Sequence, residues 1–249
     1  MKKKISLLFM ILIIVGVIVE AYHWINQIPE VRSALTSDKD QPKPVTNDWR
    51  MALLESVNDP IVEGIKSSIE KDFVRFNLDV KTKQITLVDN VLSKFNWPHE
   101  LMVGPNNVPK SARDVHIKHL PRQLPFWRKK GVDIIILPLV AQGKYGLAAG
   151  FIAINSKDKT IAGLRFYHSE DTPGLGQKVL NSEFTNTFIG KYLFDDQENF
   201  ALKIVRPGQV NKSNQYNVDG ITGATMMSNG IQDALTFWIG VDAYGDLLK

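Results

Sequence analysis

The sequence predicts an α+β domain built on an antiparallel sheet with flanking helices, preceded by one N-terminal transmembrane helix. Three observations carry this reading. Residues 5–19 (ISLLFMILIIVGVIV) form an uncharged apolar run directly behind Lys2, Lys3 and Lys4. Residues 146–155 and 161–168 are apolar stretches separated by the polar turn Lys157-Asp158-Lys159, which is the pattern of a hairpin. Met226, Met227, Ile231, Ala234, Leu235 and Trp238 recur at helical spacing from about Thr225 onward.

The elements follow in chain order. Fifteen apolar residues cover about 22 Å, short of the roughly 30 Å hydrocarbon core of a bilayer. Continuing through Tyr22, Trp24 and Ile25 gives about 21 residues, enough to cross. Glu20 then lies near the outer end, and Tyr22 and Trp24 fall where an aromatic belt belongs. A cleaved signal peptide is the alternative, with Val19-Glu20-Ala21 as its site; the long run and the scarcity of small residues favour a retained anchor over residues 1–25. Lysines before the run and none just after it leave the N-terminus in the cytoplasm. In a bacterium this means a single-pass protein of the inner membrane with a periplasmic domain. Residues 26–48, with Pro29, Pro42, Pro44 and Ser37-Asp38-Lys39-Asp40-Gln41, read as a tether.

Residues 49–130 form the first part of the exported domain and residues 131–249 its core. Residues 49–70 have helical spacing at Met51, Leu54, Val57, Ile61, Ile65 and Ile69. Residues 73–80 alternate Phe76, Leu78 and Val80 against Arg75, Asn77 and Asp79, a half-buried strand. Lys81-Thr82-Lys83 is its turn and residues 85–88 the return strand. Residues 93–130 hold Pro98, Pro105, Pro109, Pro121 and Pro125 among many charges and read as loop with short elements. Residues 133–140 (DIIILPLV) are a buried strand, with Pro138 arguing for an edge or a bulge.

Composition removes several function classes. Apolar residues are 44% and charged residues 22% of 249, ample for a core. Cysteine is absent, so disulfides, thiolate-held clusters and Cys nucleophiles are excluded. Half of the formal charge of +4 comes from Lys2, Lys3 and Lys4 against Glu20, and the near-neutral remainder gives no case for nucleic acid. His116 and His119 have ligand-like spacing, but no third ligand pairs with them in sequence, so no metal is expected. Serine hydrolase motifs are missing.

Two loops have the composition of ligand sites. Asp171-Thr172-Pro173-Gly174-Leu175-Gly176 follows a strand, and its glycines let backbone approach a ligand. On its own it reads equally as a structural turn. Asp219-Gly220-Ile221-Thr222-Gly223-Ala224-Thr225 opens the last helical stripe, where free N–H groups attract phosphate. A helix start capped by Thr222 or Thr225 explains the same residues. Neither loop is a dinucleotide fingerprint or a Walker A loop.

Together the two loops resemble FMN-binding domains. In that family the motif at residues 219–225 is the flavinylation site, and the resemblance implies that a dedicated flavin transferase joins the phosphate of FMN to the hydroxyl of Thr225. It further implies that Asp219, Thr222, Gly223 and Ala224 surround the attachment point. Thr172, Gly174, Leu175 and Gly176 would meet the flavin ring. Thr222 stands where serine is expected, Met227 where threonine is usual and Asp171 where glutamate is usual. The tail, with Ser228-Asn229-Gly230 and residues 237–240, is similar to the branch of the family that serves as a flavoprotein component of sodium-translocating NADH:quinone reductases.

The resemblance covers residues from about 143 to the C-terminus. It implies a covalent flavoprotein subunit that relays electrons from NADH toward quinone, coupled to sodium export, with the other subunits of that membrane complex as partners. The flavin does the electron chemistry, so no acid, base or nucleophile is assigned to turnover. Two alternatives share the residues: the equivalent component of an Rnf-type electron transport complex, and a membrane-tethered binding module in which both loops are only turns.

Overall fold

Six strands pair into one antiparallel sheet. They are β1 (Phe73–Asp79), β2 (Ile85–Val88), β3 (Gln123–Lys129), β4 (Ile134–Gln142), β5 (Leu147–Asn155) and β6 (Ile161–Ser169), in the spatial order β2-β1-β3-β4-β5-β6. The structure is a computed structural model that describes residues 48–58, 64–102, 108–211 and 213–248. The predicted anchor, residues 1–25, and nearly all of the tether, residues 26–48, lie outside the described residues. Among the described residues no helix is long and apolar enough to cross a membrane.

The inner strands are apolar on both faces because both are covered: every residue of β5 from Leu147 to Ile154 is buried. Ring contacts at 4.8–6.4 Å tie together Trp49 of α1 (Trp49–Glu55), Phe95 and Trp97 of the following loop, Trp127 of β3, Phe151 of β5 and Trp238. The predicted helix over residues 49–70 is two helices, α1 and α2 (Ile65–Asp72), with residues 59–63 outside the described residues. Two short helices, α3 (His99–Met102) and α4 (Lys110–Asp114), follow β2.

The loop expected over residues 93–130 is corrected at its end, where residues 123–129 form the inner strand β3. Its full length pairs with β1, with Pro125 opposite Asn77. Its pairing to β4 is confined to Trp127 opposite Ile136 and Arg128 opposite Ile135. Beyond those two positions the seam opens, and Pro125 and Pro138 both stand in the open part. A proline lacks an N–H, so it is tolerated where no ladder bond is required. Pro138 therefore sits in a mid-sheet strand that is locally an edge. Residues from the C-terminal end serve carbonyls of both strands: Tyr244 Oη donates to Pro125 O at 2.7 Å and Trp238 Nε1 to Val140 O at 3.0 Å.

After β6 come a 3-10 turn (Gly176–Leu180), α5 (Ser182–Asn186), and a parallel pair of short strands, β7 (Lys203–Val205) and β8 (Asn217–Asp219). Helix α6 (Thr225–Trp238) packs on β4. Its bounds coincide with the predicted stripe, with one correction: Met226 points to solvent and Met227 into the core. The helix meets β4 at Gly230, where a Cβ would collide with the carbonyl oxygen of Gln142. That close approach places the first turn of α6 beside the β4–β5 turn.

Candidate functional site

Three segments far apart in sequence meet at this end of the sheet: the β4–β5 turn, the loop after β6 and the start of α6. They enclose a cleft of about 350 Å³ lined by Lys144, Tyr145, Asp171, Thr172, Leu175, Gly176 and residues 223–227. This is the lower end of the range for small-molecule pockets, roughly 300–1,000 Å³. Leu175, Met226 and Tyr145, at 44%, 58% and 65% exposed, gather around it.

Asp171 holds the first two segments together. It is buried, and its Oδ2 accepts from the Lys144 N–H at 3.0 Å while Oδ1 accepts from the Thr172 N–H at 2.7 Å. A Cβ at Gly143 or at Gly176 would run into this carboxylate, which is why both positions are glycine. The carboxylate thus spends both oxygens on tying the hairpin turn to the loop.

The loop turns on itself. Thr172 O accepts from the N–H of Leu175 and of Gln177, both at 3.1 Å, and Gly174 sits at φ +75°. The N–H groups of Gly174 and Gly176 take no part in these bonds and remain available to a ligand acceptor. Leu175 leans toward Gly223, with its Cδ2 3.1 Å from where a Cβ of Gly223 would lie.

The start of α6 is held from behind. Ser228 Oγ accepts from the Ile221 N–H at 2.8 Å and donates to Ala224 O at 3.1 Å, pinning residues 221–224. Ala224 is the N-cap and contributes no side-chain bond. Thr225 is the first helical residue, and its exposed hydroxyl has no hydrogen-bond partner among the described residues. The capping role considered for Thr222 or Thr225 is therefore not used. The first N–H groups of the helix lack intrahelical partners and carry the positive end of its dipole.

The remaining sequence-predicted residues lie elsewhere. Asp219 ends β8, and its Oδ1 accepts from the N–H groups of Gln209 and Val210, both at 3.2 Å, so it orders the loop before β8 rather than lining the cleft. Thr222 is exposed and Gly174 shapes the turn; neither lines the cleft. Lys144, Tyr145, Asp171, Met226 and Met227 join the site although no motif marks them. Lys144 Nζ lies 4.8 Å from the Tyr145 ring centre. A hydrogen bond and charge interaction with Tyr145, with a contribution from Asp171, hold its ammonium above the ordinary lysine value.

Residues 143–240, which contribute every lining residue of the cleft, match the family model of the FMN-binding domain. These residues are an FMN-binding domain. The domain and its flanks are 39% identical over 118 residues to the NqrC component of the Na(+)-translocating NADH-quinone reductase of Yersinia pestis, covering 47% of this chain and 44% of that one. The same-named protein of Vibrio anguillarum is 37% identical over 122 residues, 48% of each chain. The chain thus spans about half the length of the relatives it matches. Among solved structures, NqrC of Shewanella oneidensis shares the fold at a TM-score of 0.72 and 24% identity, covering 80% of this chain and 94% of that one. The corresponding Na(+)-translocating NADH-quinone reductase protein of Parabacteroides distasonis gives 0.62 at 25% identity, with 82% and 92% covered. The coverage by structure extends well beyond the FMN-binding domain, so the strands before residue 143 belong to the shared fold.

Proposed function

We propose that this chain carries FMN as a phosphodiester on Thr225 and serves as an electron-transfer subunit of a sodium-translocating NADH:quinone reductase. One observation carries the attachment: in an FMN-binding domain, an exposed threonine hydroxyl with no partner stands at the first residue of a helix, on the edge of a cleft. The other subunits of that membrane complex are its partners, and a flavin transferase matures it. Residues 1–25 anchor it in the bacterial inner membrane with the domain on the periplasmic side.

The residues present fit the group. In attachment, the Thr225 oxygen displaces AMP from FAD at the FMN phosphorus. The product keeps one negative charge beside the first turn of α6, a setting that favours an anion by about 0.3–1 kcal/mol at an exposed site. Leu175, Tyr145 and Met226 offer apolar surface to a ring, and the Gly174 and Gly176 N–H groups offer donors to its acceptors. Bound FMN supplies one- and two-electron exchange. The chain supplies covalent retention, an apolar wall and exposure to a second carrier. Asp171, the one carboxylate among the lining residues, already accepts two N–H bonds, so the protein orients and tunes the flavin without acid–base work of its own.

In-gel flavin fluorescence after SDS denaturation tests this. The full chain is produced alongside a flavin transferase. A fluorescent band for the native sequence and a dark one for Thr225→Ala are expected; a fluorescent Thr225→Ala band would refute the attachment. The proteins that co-purify then separate this complex from an Rnf-type one.

A further inference from the structure

We propose that Lys144 sets the reduction potential of this site by offsetting the negative charge that a flavin in the cleft gains on reduction. The inference rests on the proposed attachment of FMN at Thr225. Lys144 is the only Lys, Arg or His among the residues lining the cleft. It stands on the β4–β5 turn, which the bond from its own N–H to Asp171 Oδ2 ties to the opposite loop, so its backbone is fixed relative to the site. Its ammonium lies 4.8 Å from the centre of the Tyr145 ring, itself a wall of the cleft.

The surrounding charges leave this role to Lys144. Both Asp171 oxygens are engaged by N–H groups, which disperses that carboxylate's field. Glu170 accepts from the Leu147 N–H and faces His168 at 3.3 Å. Lys178 is on the 3-10 turn and does not line the cleft. Two-electron reduction of a flavin near neutral pH takes up two electrons and one proton and leaves one negative charge on the ring. The oxidised ring is neutral, so a nearby cation favours the reduced form selectively and raises the potential.

The test uses the full chain loaded by a flavin transferase, checked first by in-gel fluorescence and then titrated with dithionite at low and high salt. Lys144→Met is expected to move the equilibrium against the reduced form about tenfold, about 30 mV lower for a two-electron couple. The gap should shrink in about 1 M salt, where screening acts over roughly 3 Å. Lys144→Arg and Lys178→Met should titrate with the native sequence. A Lys144→Met variant that titrates with the native sequence at low salt overturns this proposal alone. A dark native band beside an active transferase overturns the attachment beneath it.

Discussion

Gly223 and Leu175 bring the two loops of the cleft to contact: Gly223 sits at φ +80°, and a Cβ there would stand 3.1 Å from Leu175 Cδ2. Gly223→Ala therefore meets both a left-handed backbone and a side chain. It should cost about 1–3 kcal/mol and lower flavin loading. Adding Leu175→Ala removes the crowding but not the backbone cost, so the double variant should recover only part of the stability. Urea midpoints of the single and double variants check this; full recovery would place the whole cost in the crowding.

Ser228 controls the shape of the attachment loop from the buried side. Ser228→Ala removes the acceptor for the Ile221 N–H and leaves that group unsatisfied in a buried setting. The expected cost is about 1–3 kcal/mol. Flavin transfer to Thr225 should slow while far-UV circular dichroism stays native. Unchanged transfer kinetics would show that the loop needs no such support.

Asp171→Asn keeps the shape of the side chain but turns an amide N–H toward one of the two backbone donors. A loss of about 1–3 kcal/mol is expected, read as a lower urea midpoint. The substitution should also loosen the β4–β5 turn, so hydrogen exchange at the Lys144 amide should accelerate. Unaltered exchange there would mean that the turn is held by Gln142 Nε2, which donates to Gly143 O and Gly146 O, rather than by Asp171.

Much of this architecture is legible in the sequence. The β5–β6 hairpin and helix α6 follow from unbroken apolar periodicity between polar turns, and their positions in the structure match. Strand β3 is hidden because Pro121 and Pro125 signal a loop, and only the opening of the β3–β4 seam, a tertiary feature, makes Pro125 compatible with a strand. In the cleft, Thr225, Gly223 and Leu175 are marked by motifs. Lys144 and Tyr145 are not, because they reach the site through the approach of α6 to β4 at Gly230. A pairing of Gly230 with Gln142 leaves no trace in local spacing. Asp219 illustrates the converse: its place in a motif suggests the flavin, whereas its carboxylate serves the Gln209 and Val210 amides.

Acid sensitivity should report Asp79, far from the cleft in β1. Its carboxyl is held down at about 2, first by the Thr82 N–H and then by Arg122 and the Lys81 N–H. A folded value below the unfolded one near 3.8 means that the ionised form stabilises the fold. That contribution is complete above about pH 4 and lost as the pH falls toward 2. Asp79→Asn should therefore unfold at lower urea than the native sequence at pH 7, with the gap closing between about pH 4 and 2. A gap that persists unchanged to pH 2 would assign it to lost geometry instead of charge.

The chemical identity of residue 225 is the centre of the account, and its hydroxyl makes no structural bond. Thr225→Ala should accordingly change stability by less than about 0.5 kcal/mol. No lysine or arginine lies between Lys212 and Lys249, so trypsin releases Thr222 and Thr225 in one peptide. Tandem mass spectrometry of that peptide, from full chain matured with a flavin transferase, tests the claim most directly. The account predicts an FMN-phosphoryl adduct on Thr225 and an unmodified peptide from Thr225→Ala. An adduct on Thr222, or flavin that leaves on denaturation with both threonines unmodified, would contradict it.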